Sequence, residues 1–144
     1  MDTIFAQWTP RMVSILRIMT GVLFLEHGTA KLLAFPPPTN PSPALASLLG
    51  VQGLIEIVGG ILIVIGLLTR PVAFILAGDM AVAYFMAHAP RAMYPVLNGG
   101  DTAILYCFIF LFLCFAGGGP WSIDETRQAK SWADPGSYRR RIHP

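Results

Sequence analysis

The chain has 144 residues, of which 54% are hydrophobic and 12% charged, whereas a soluble domain carries roughly 25% charged residues. Ten basic and eight acidic side chains are too few to wet the surface of a globule this size, which excludes a water-soluble domain. The net charge of +2 is too small for the dense basic stripe of a nucleic-acid-binding surface, so no nucleic-acid partner is expected.

Proline sets the boundaries of the predicted elements, because inside a helix it removes a hydrogen bond and clashes with the preceding turn. Pro10 is expected just ahead of a first apolar run, 12–35. Pro36, Pro37, Pro38, Pro41 and Pro43 fill the connection to a second run, 44–69, and Pro71 opens a third, 71–89. Pro90 and Pro95 bracket the next connection, before a fourth run at 98–117. Each run is long enough to cross a hydrocarbon core of ~30 Å. In lipid only helices or closed barrels satisfy their own backbone, and four strands cannot close a barrel. The expected fold class is therefore all-α: an integral membrane four-helix bundle over residues 1–119, followed by a basic tail, 120–144.

Four spans place both termini on one side. Arg11, Arg70, Arg127, Lys130 and the run Arg139-Arg140-Arg141 fall on that side, against Arg91 and, at the outer end of the first span, Lys31. The positive-inside bias predicts that both termini are cytoplasmic, with Trp8 and Trp121 at that interface. The tail is expected to be a surface segment that touches anionic headgroups or a partner, or else disordered. Cys107 and Cys114 lie seven residues apart, about 10 Å along one helix, too far for a disulfide. Neither a CxxC nor a Cys/His ligand spacing is present, and no metal site is expected.

Ionisable groups within spans are costly and mark functional candidates. The first run holds Arg17, Glu26, His27 and Lys31; the second Glu56; the third Asp79 and His88; the fourth opens on Asn98-Gly99-Gly100-Asp101. By helical rise Arg17 and Asp79 lie at ~8 and ~12 Å depth, which suggests a structural ion pair, with Arg17–Glu56 as the competing pairing. Glu56, Glu26 and His27 come near mid-membrane, and Lys31, His88 and Asp101 share an outer level. At 100° per residue Arg17, Gly21, Phe24, Gly28 and Lys31 share one face, with His27 at its margin and Glu26 pointing away. Two fixed cations stand against four carboxyls. At least one carboxyl is then expected to be protonated, or paired with a protonated His27 or His88. Such groups suit either charge-paired helix packing or a ligand and proton site, for which the candidates are His27, Lys31, Glu56, His88, Asn98 and Asp101.

The Asn98–Asp101 segment also reads as an N-terminal cap, or as amides around a small oxygen-bearing ligand. Gly28, Gly59 and Gly60 suit close helix packing. Phe108, Phe110, Phe112 and Phe115 are expected to face lipid, and Tyr106 the interior if a polar partner meets its hydroxyl.

The strings RIMTGVLFLEHGTAKL (Arg17 to Leu32), GLIEIVGGILIVIGLLTRP (Gly53 to Pro71) and NGGDTAILYCFIFLFL followed by GGGPWSID (Asn98 to Asp124) resemble the DoxX family of small four-helix bacterial membrane proteins. The resemblance covers about residues 11–125. It implies an inner (plasma) membrane location and a redox association, since the family name is shared with a thiosulfate:quinone oxidoreductase and relatives are linked with membrane oxidoreductase complexes. The family's recurrent polar positions correspond here to Arg17, His27, Gly28, Lys31, Glu56, Asn98, Gly99, Gly100 and Asp101, the last standing where glutamate is commoner.

The leading expectation is a small subunit associated with a redox or quinone-linked electron-transfer complex. Lys31 and Asp101 would frame a pocket in the outer half, and His27 and Glu56 would exchange protons. No intrinsic cofactor is expected, because haem, flavin and iron–sulfur ligand patterns are lacking; a quinone is the one candidate. Two alternatives stand beside it. One is a non-catalytic accessory or assembly subunit packed against other membrane subunits. The other is a small-solute or proton transporter working as a homo-oligomer, although the broken-helix pattern of transporters is missing.

Overall fold

The computed structural model describes residues 2–37 and 42–133, with side chains from 4 to 129 in that range. The Arg139-Arg140-Arg141 run and Pro135 lie outside the described residues. Six α-helices and no strand are present among the described residues. They are α1 (Asp2–Leu33), α2 (Leu48–Ile65), α3 (Thr69–Ala83), α4 (Pro95–Asn98), α5 (Asp101–Ala116) and α6 (Ile123–Ala133). Two helical stretches, Leu48–Ile65 and Thr69–His88, are long and apolar enough to cross a membrane, while α5 is shorter at 16 residues.

The first boundary differs from the one expected. Pro10 lies inside α1, not ahead of it. The proline deprives the Ala6 carbonyl of its helical donor, but residues 4 to 12 are all exposed, so that carbonyl is not stranded in an apolar core. The second run is shorter than predicted. Ser47 caps α2 by accepting a bond from the Gly50 amide at 3.1 Å, and Gly66, at φ 69°, ends it with bonds back to the last-turn carbonyls. A left-handed residue at this position is the usual helix stop, and glycine takes it without strain. The third helix begins at Thr69 and continues beyond Ala83 as a wider π-type turn, Tyr84–His88. The fourth run is split, with the single turn α4 joined to α5 through Gly99 and Gly100.

α1 packs chiefly along α2, and α3 along α5, whereas α2 and α3 meet over a shorter stretch. The α1–α2 pairing follows from side-chain size. A Cβ added to Gly28 would stand 2.8 Å from the Gly53 carbonyl oxygen, and one added to Gly60 would stand 3.0 Å from the Leu25 Cα. Backbone atoms cannot swing aside, so these positions hold α1 and α2 together only without a side chain. Gly59 faces α3 instead, with Leu76 Cδ2 2.6 Å from its would-be Cβ. Gly28→Val is expected to force the α1–α2 pair apart at a cost of about 1–3 kcal/mol, read as a lower Tm in detergent; an unchanged Tm would show that the contact is not limiting.

The core joins the two pairs through Phe24, Ile63, Leu76, Met80, Tyr106, Phe110 and Leu113. Phe110 is fully buried, which corrects its assignment to the lipid-facing set; Phe108, Phe112 and Phe115 are exposed. The reason is register. Tyr106, Phe110 and Leu113 recur at i, i+4 and i+7 on one face, and the Phe110 ring meets Phe24 edge to face at 4.9 Å.

Candidate functional site

Three polar clusters interrupt this apolar framework, and they differ in whether their bonds are complete. The first lies where α2 turns into α3. Arg17, fully buried, donates to the carbonyls of Gly118 at 2.8 Å, Val64 at 2.6 Å and Trp121 at 2.8 Å, and to that of Ile63. The last-turn carbonyls of α2 are acceptors that the helix cannot satisfy itself, and a planar five-donor fork suits several at once. Arg17 thus ties α1 to the end of α2 and to the Gly117–Asp124 segment. The Ser14 hydroxyl adds to the tie, accepting from the Trp121 amide at 3.1 Å.

The expected ion pair of Arg17 with Asp79 is not formed, nor is its competitor with Glu56; the one carboxylate–cation contact among the described residues is Lys31–Glu56. Depth along a helix gave Arg17 and Asp79 similar levels, but the guanidinium is taken by carbonyls. The carboxylate whose charge acts on it is that of Asp124.

Asp124 caps α3. Its two oxygens accept from the Leu68 amide at 2.8 Å and the Thr69 amide at 2.7 Å, placing negative charge at a helix N-terminus. Residues from Pro120 to Asp124, expected to begin a tail, are therefore bonded into the bundle. Burial alone pushes the Asp124 carboxyl up, but the bonds from Thr69 and Leu68 and the Arg127 charge together hold it below its ordinary value. A carboxyl depressed by folding stabilises the fold above its unfolded value of about 3.9, and that contribution is lost as pH falls through the folded value. Asp124→Asn should therefore lower the Tm at neutral pH and flatten its decline below about pH 4; parallel Tm-against-pH curves for variant and wild type would contradict this.

The second cluster closes the turn before α5. Asn98, buried at 3% exposure, accepts from the Gly100 amide at 2.8 Å and donates to the Ala92 carbonyl at 2.9 Å. Its own carbonyl meets His88 Nδ1 at 3.1 Å. A Cβ on Gly100 would stand 2.6 Å from the Tyr84 ring. This cluster is a clasp with its bonds largely complete. Asp101 begins α5 beside it with an exposed side chain.

The third cluster is incomplete. Lys31 Nζ donates to Glu56 Oε1 at 2.6 Å and to Gln52 Oε1 at 3.2 Å. The Glu56 side chain is 3% exposed and that of Lys31 28%. Asp79 comes from α3 on the same side, near enough for the Glu56 and Lys31 charges to act on it. Glu56 Oε2 and Asp79 Oδ2 are buried without a hydrogen-bond partner.

Of the predicted site residues, then, Lys31 and Glu56 are brought together, while His88 and Asn98 form a separate clasp. Lys31 engages Gln52 and Glu56 rather than Asp101, so the entrance expected from that pair is not assembled. His27 is exposed, with its ring edge on Tyr106 at 5.8 Å. Glu26 is exposed too. Sequence reasoning passed over Gln52, whose signal was a lone amide one turn from Glu56, and Asp124, whose signal was its place in the WSID string.

The family model described as DoxX matches residues 12–89. An uncharacterized protein of Haemophilus influenzae is 42% identical over 124 residues, covering 83% of this chain and 92% of that protein. An uncharacterized membrane protein of Mycobacterium tuberculosis is 28% identical over 142 residues, covering 86% of each. No solved structure gives a significant match. The chain belongs to the DoxX family. It is a membrane protein of that family, in keeping with its apolar exposed helix faces.

Proposed function

We propose that this chain is a small subunit of a quinone-linked redox system, and that Lys31, Gln52, Glu56 and Asp79 form a centre that exchanges protons with a quinone headgroup. The observation that carries this reading is the charge count at the centre. One ammonium faces two carboxyls, each with a buried oxygen that lacks a partner. An unmet buried polar group costs about 1–3 kcal/mol, so a bound head that donates to these oxygens, or accepts from their protonated forms, removes a standing penalty. Oxidation of a quinol to a quinone releases two protons and two electrons. Here Glu56 and Asp79 are the proton acceptors, Lys31 and Gln52 hold their carboxyls in place, and the electron acceptor is a redox centre carried by a partner subunit.

In this reading the chain lies in a bacterial inner membrane with both termini cytoplasmic. The exposed faces bearing Phe108, Phe112 and Phe115 meet lipid, other membrane subunits or a second copy. An accessory role without chemistry is the contrast. Glu56→Gln and Asp79→Asn keep volume and hydrogen-bonding capacity while removing the proton acceptors. Each is expected to leave assembly intact on native gels and to lower quinol-dependent turnover of the complex at least tenfold, about 1.4 kcal/mol of barrier. Full turnover in both variants would reject the proton role.

A further inference from the structure

The seam between α2 and α3 points to where a ligand reaches this centre. An open groove of about 320 Å³ runs along it, lined by Leu54, Val58 and Leu62 with Ile55 and Gly59 on α2, and by Val72, Ile75 and Leu76 on α3. The lining is wholly apolar. The groove also has a direction. On α3, Val72, Ile75, Leu76 and Asp79 recur at i, i+3, i+4 and i+7, so Asp79 continues the apolar stripe by one further turn. On α2, Gln52 stands one turn beyond Ile55, at the same end. The groove thus points along α3 to Asp79, whose Oδ2 is buried and lacks a partner. From Val72 to Asp79 the helix rises about 10 Å.

A stripe of this length with an unmet carboxyl oxygen at one end suits an amphiphile that has one hydrocarbon tail and a compact hydrogen-bonding head. A phospholipid fits it less well, because two chains and a charged phosphate would have to come to a buried carboxyl. We propose that the α2–α3 seam is a lateral groove that holds the hydrocarbon tail of a lipid-soluble quinone, with its head at Asp79 and Gln52. This inference rests on the quinone reading above and adds the route and the tail site. Lipid is as apolar as the groove, so the tail is held by packing against Val58, Ile75 and Leu76 and not by a hydrophobic driving force. The groove accordingly sets orientation, delivering the head along α3 towards Asp79.

The test uses the full chain in lipid nanodiscs and a quinone that carries a photoreactive diazirine in its tail, with cross-linked peptides mapped by mass spectrometry. Labels are expected within residues 54–62 and 72–76. They should be competed by unlabelled quinone and reduced at least threefold in Val58→Phe/Ile75→Phe, which fills the groove from its exposed rim. Asp79→Asn tests the head end and should weaken labelling while leaving the fold intact. Competed labels on α1 or α5, or undiminished labelling of the filled variant, would overturn the groove while leaving the quinone reading in place. Absence of any competed label would overturn both. Equal labelling of the seam by a phospholipid bearing the same diazirine would show that ordinary lipid occupies it and overturn the groove assignment.

Discussion

Arg17→Met is expected to remove most folded protein from detergent extracts, with a loss of stability on the order of 3–5 kcal/mol. The methionine fills much of the volume but donates nothing, leaving the carbonyls of Ile63, Val64, Gly118 and Trp121 without the guanidinium that now meets them. Ile63 keeps a second donor in the Gly66 amide and Gly118 a long bond from the Ser14 hydroxyl at 3.5 Å, so the heaviest loss falls on Val64 and Trp121. Each stranded buried carbonyl costs about 1–3 kcal/mol. Arg17→Lys keeps the charge yet offers a single nitrogen where the fork reaches two segments with three, so it should recover only part of the loss. Size-exclusion profiles and Tm values of the three proteins decide the point. A lysine variant as stable as wild type would mean that charge, through Asp124, matters more than the fork. A stable methionine variant would remove Arg17 from the centre of the fold.

The arginine also shows what could be read from sequence and what could not. That Arg17, Gly21, Phe24 and Gly28 share a buried face followed from 100° per residue, and in the structure these four are buried. The partner of Arg17 did not follow, because the sequence shows carboxylates plainly while every residue carries a carbonyl. Only the fold shows that α2 stops at Gly66 and the Gly117–Asp124 segment turns back beneath it. Phe110 is a similar case. Composition suggested a lipid-facing run of phenylalanines, yet a single face of α5 is turned inward, and which face depends on the helices it meets. Pro10 does not end the helix because, although it lies more than two turns into α1, the residues around it are exposed and the carbonyl it leaves without a helical donor is not stranded in the core. The pairing of Lys31 with Glu56 was obscured by equating depth with helical rise from an assumed membrane boundary. In the observed register Gly28 meets Gly53 and Gly60 meets Leu25, which brings Lys31 within about one turn of Glu56, and the two meet at 2.6 Å.

That same pair gives the second large expectation. Lys31→Met should destabilise the protein by about 3–5 kcal/mol, the usual result of leaving a buried charge without its partner. It strips the only ammonium from a cluster that holds the Glu56 and Asp79 carboxyls. Glu56→Gln alone should cost less, since Lys31 is partly exposed and its ammonium can still reach Gln52. Combining Lys31→Met with Glu56→Gln removes both charges together, and the double variant is expected to lose about 1–3 kcal/mol less than the two single losses added together, a coupling of the size found for residues in contact. Tm values or denaturant midpoints of the four proteins in one detergent close the cycle. If the double variant loses as much stability as the two single losses added together, the Lys31–Glu56 contact contributes no net coupling. If it regains stability yet loses quinol-dependent turnover, the ion pair holds the helices while its carboxyl takes part in the chemistry. Stability and proton exchange would then depend on the same carboxyl, with Asp79 meeting the ligand and Lys31 keeping Glu56 in reach of it.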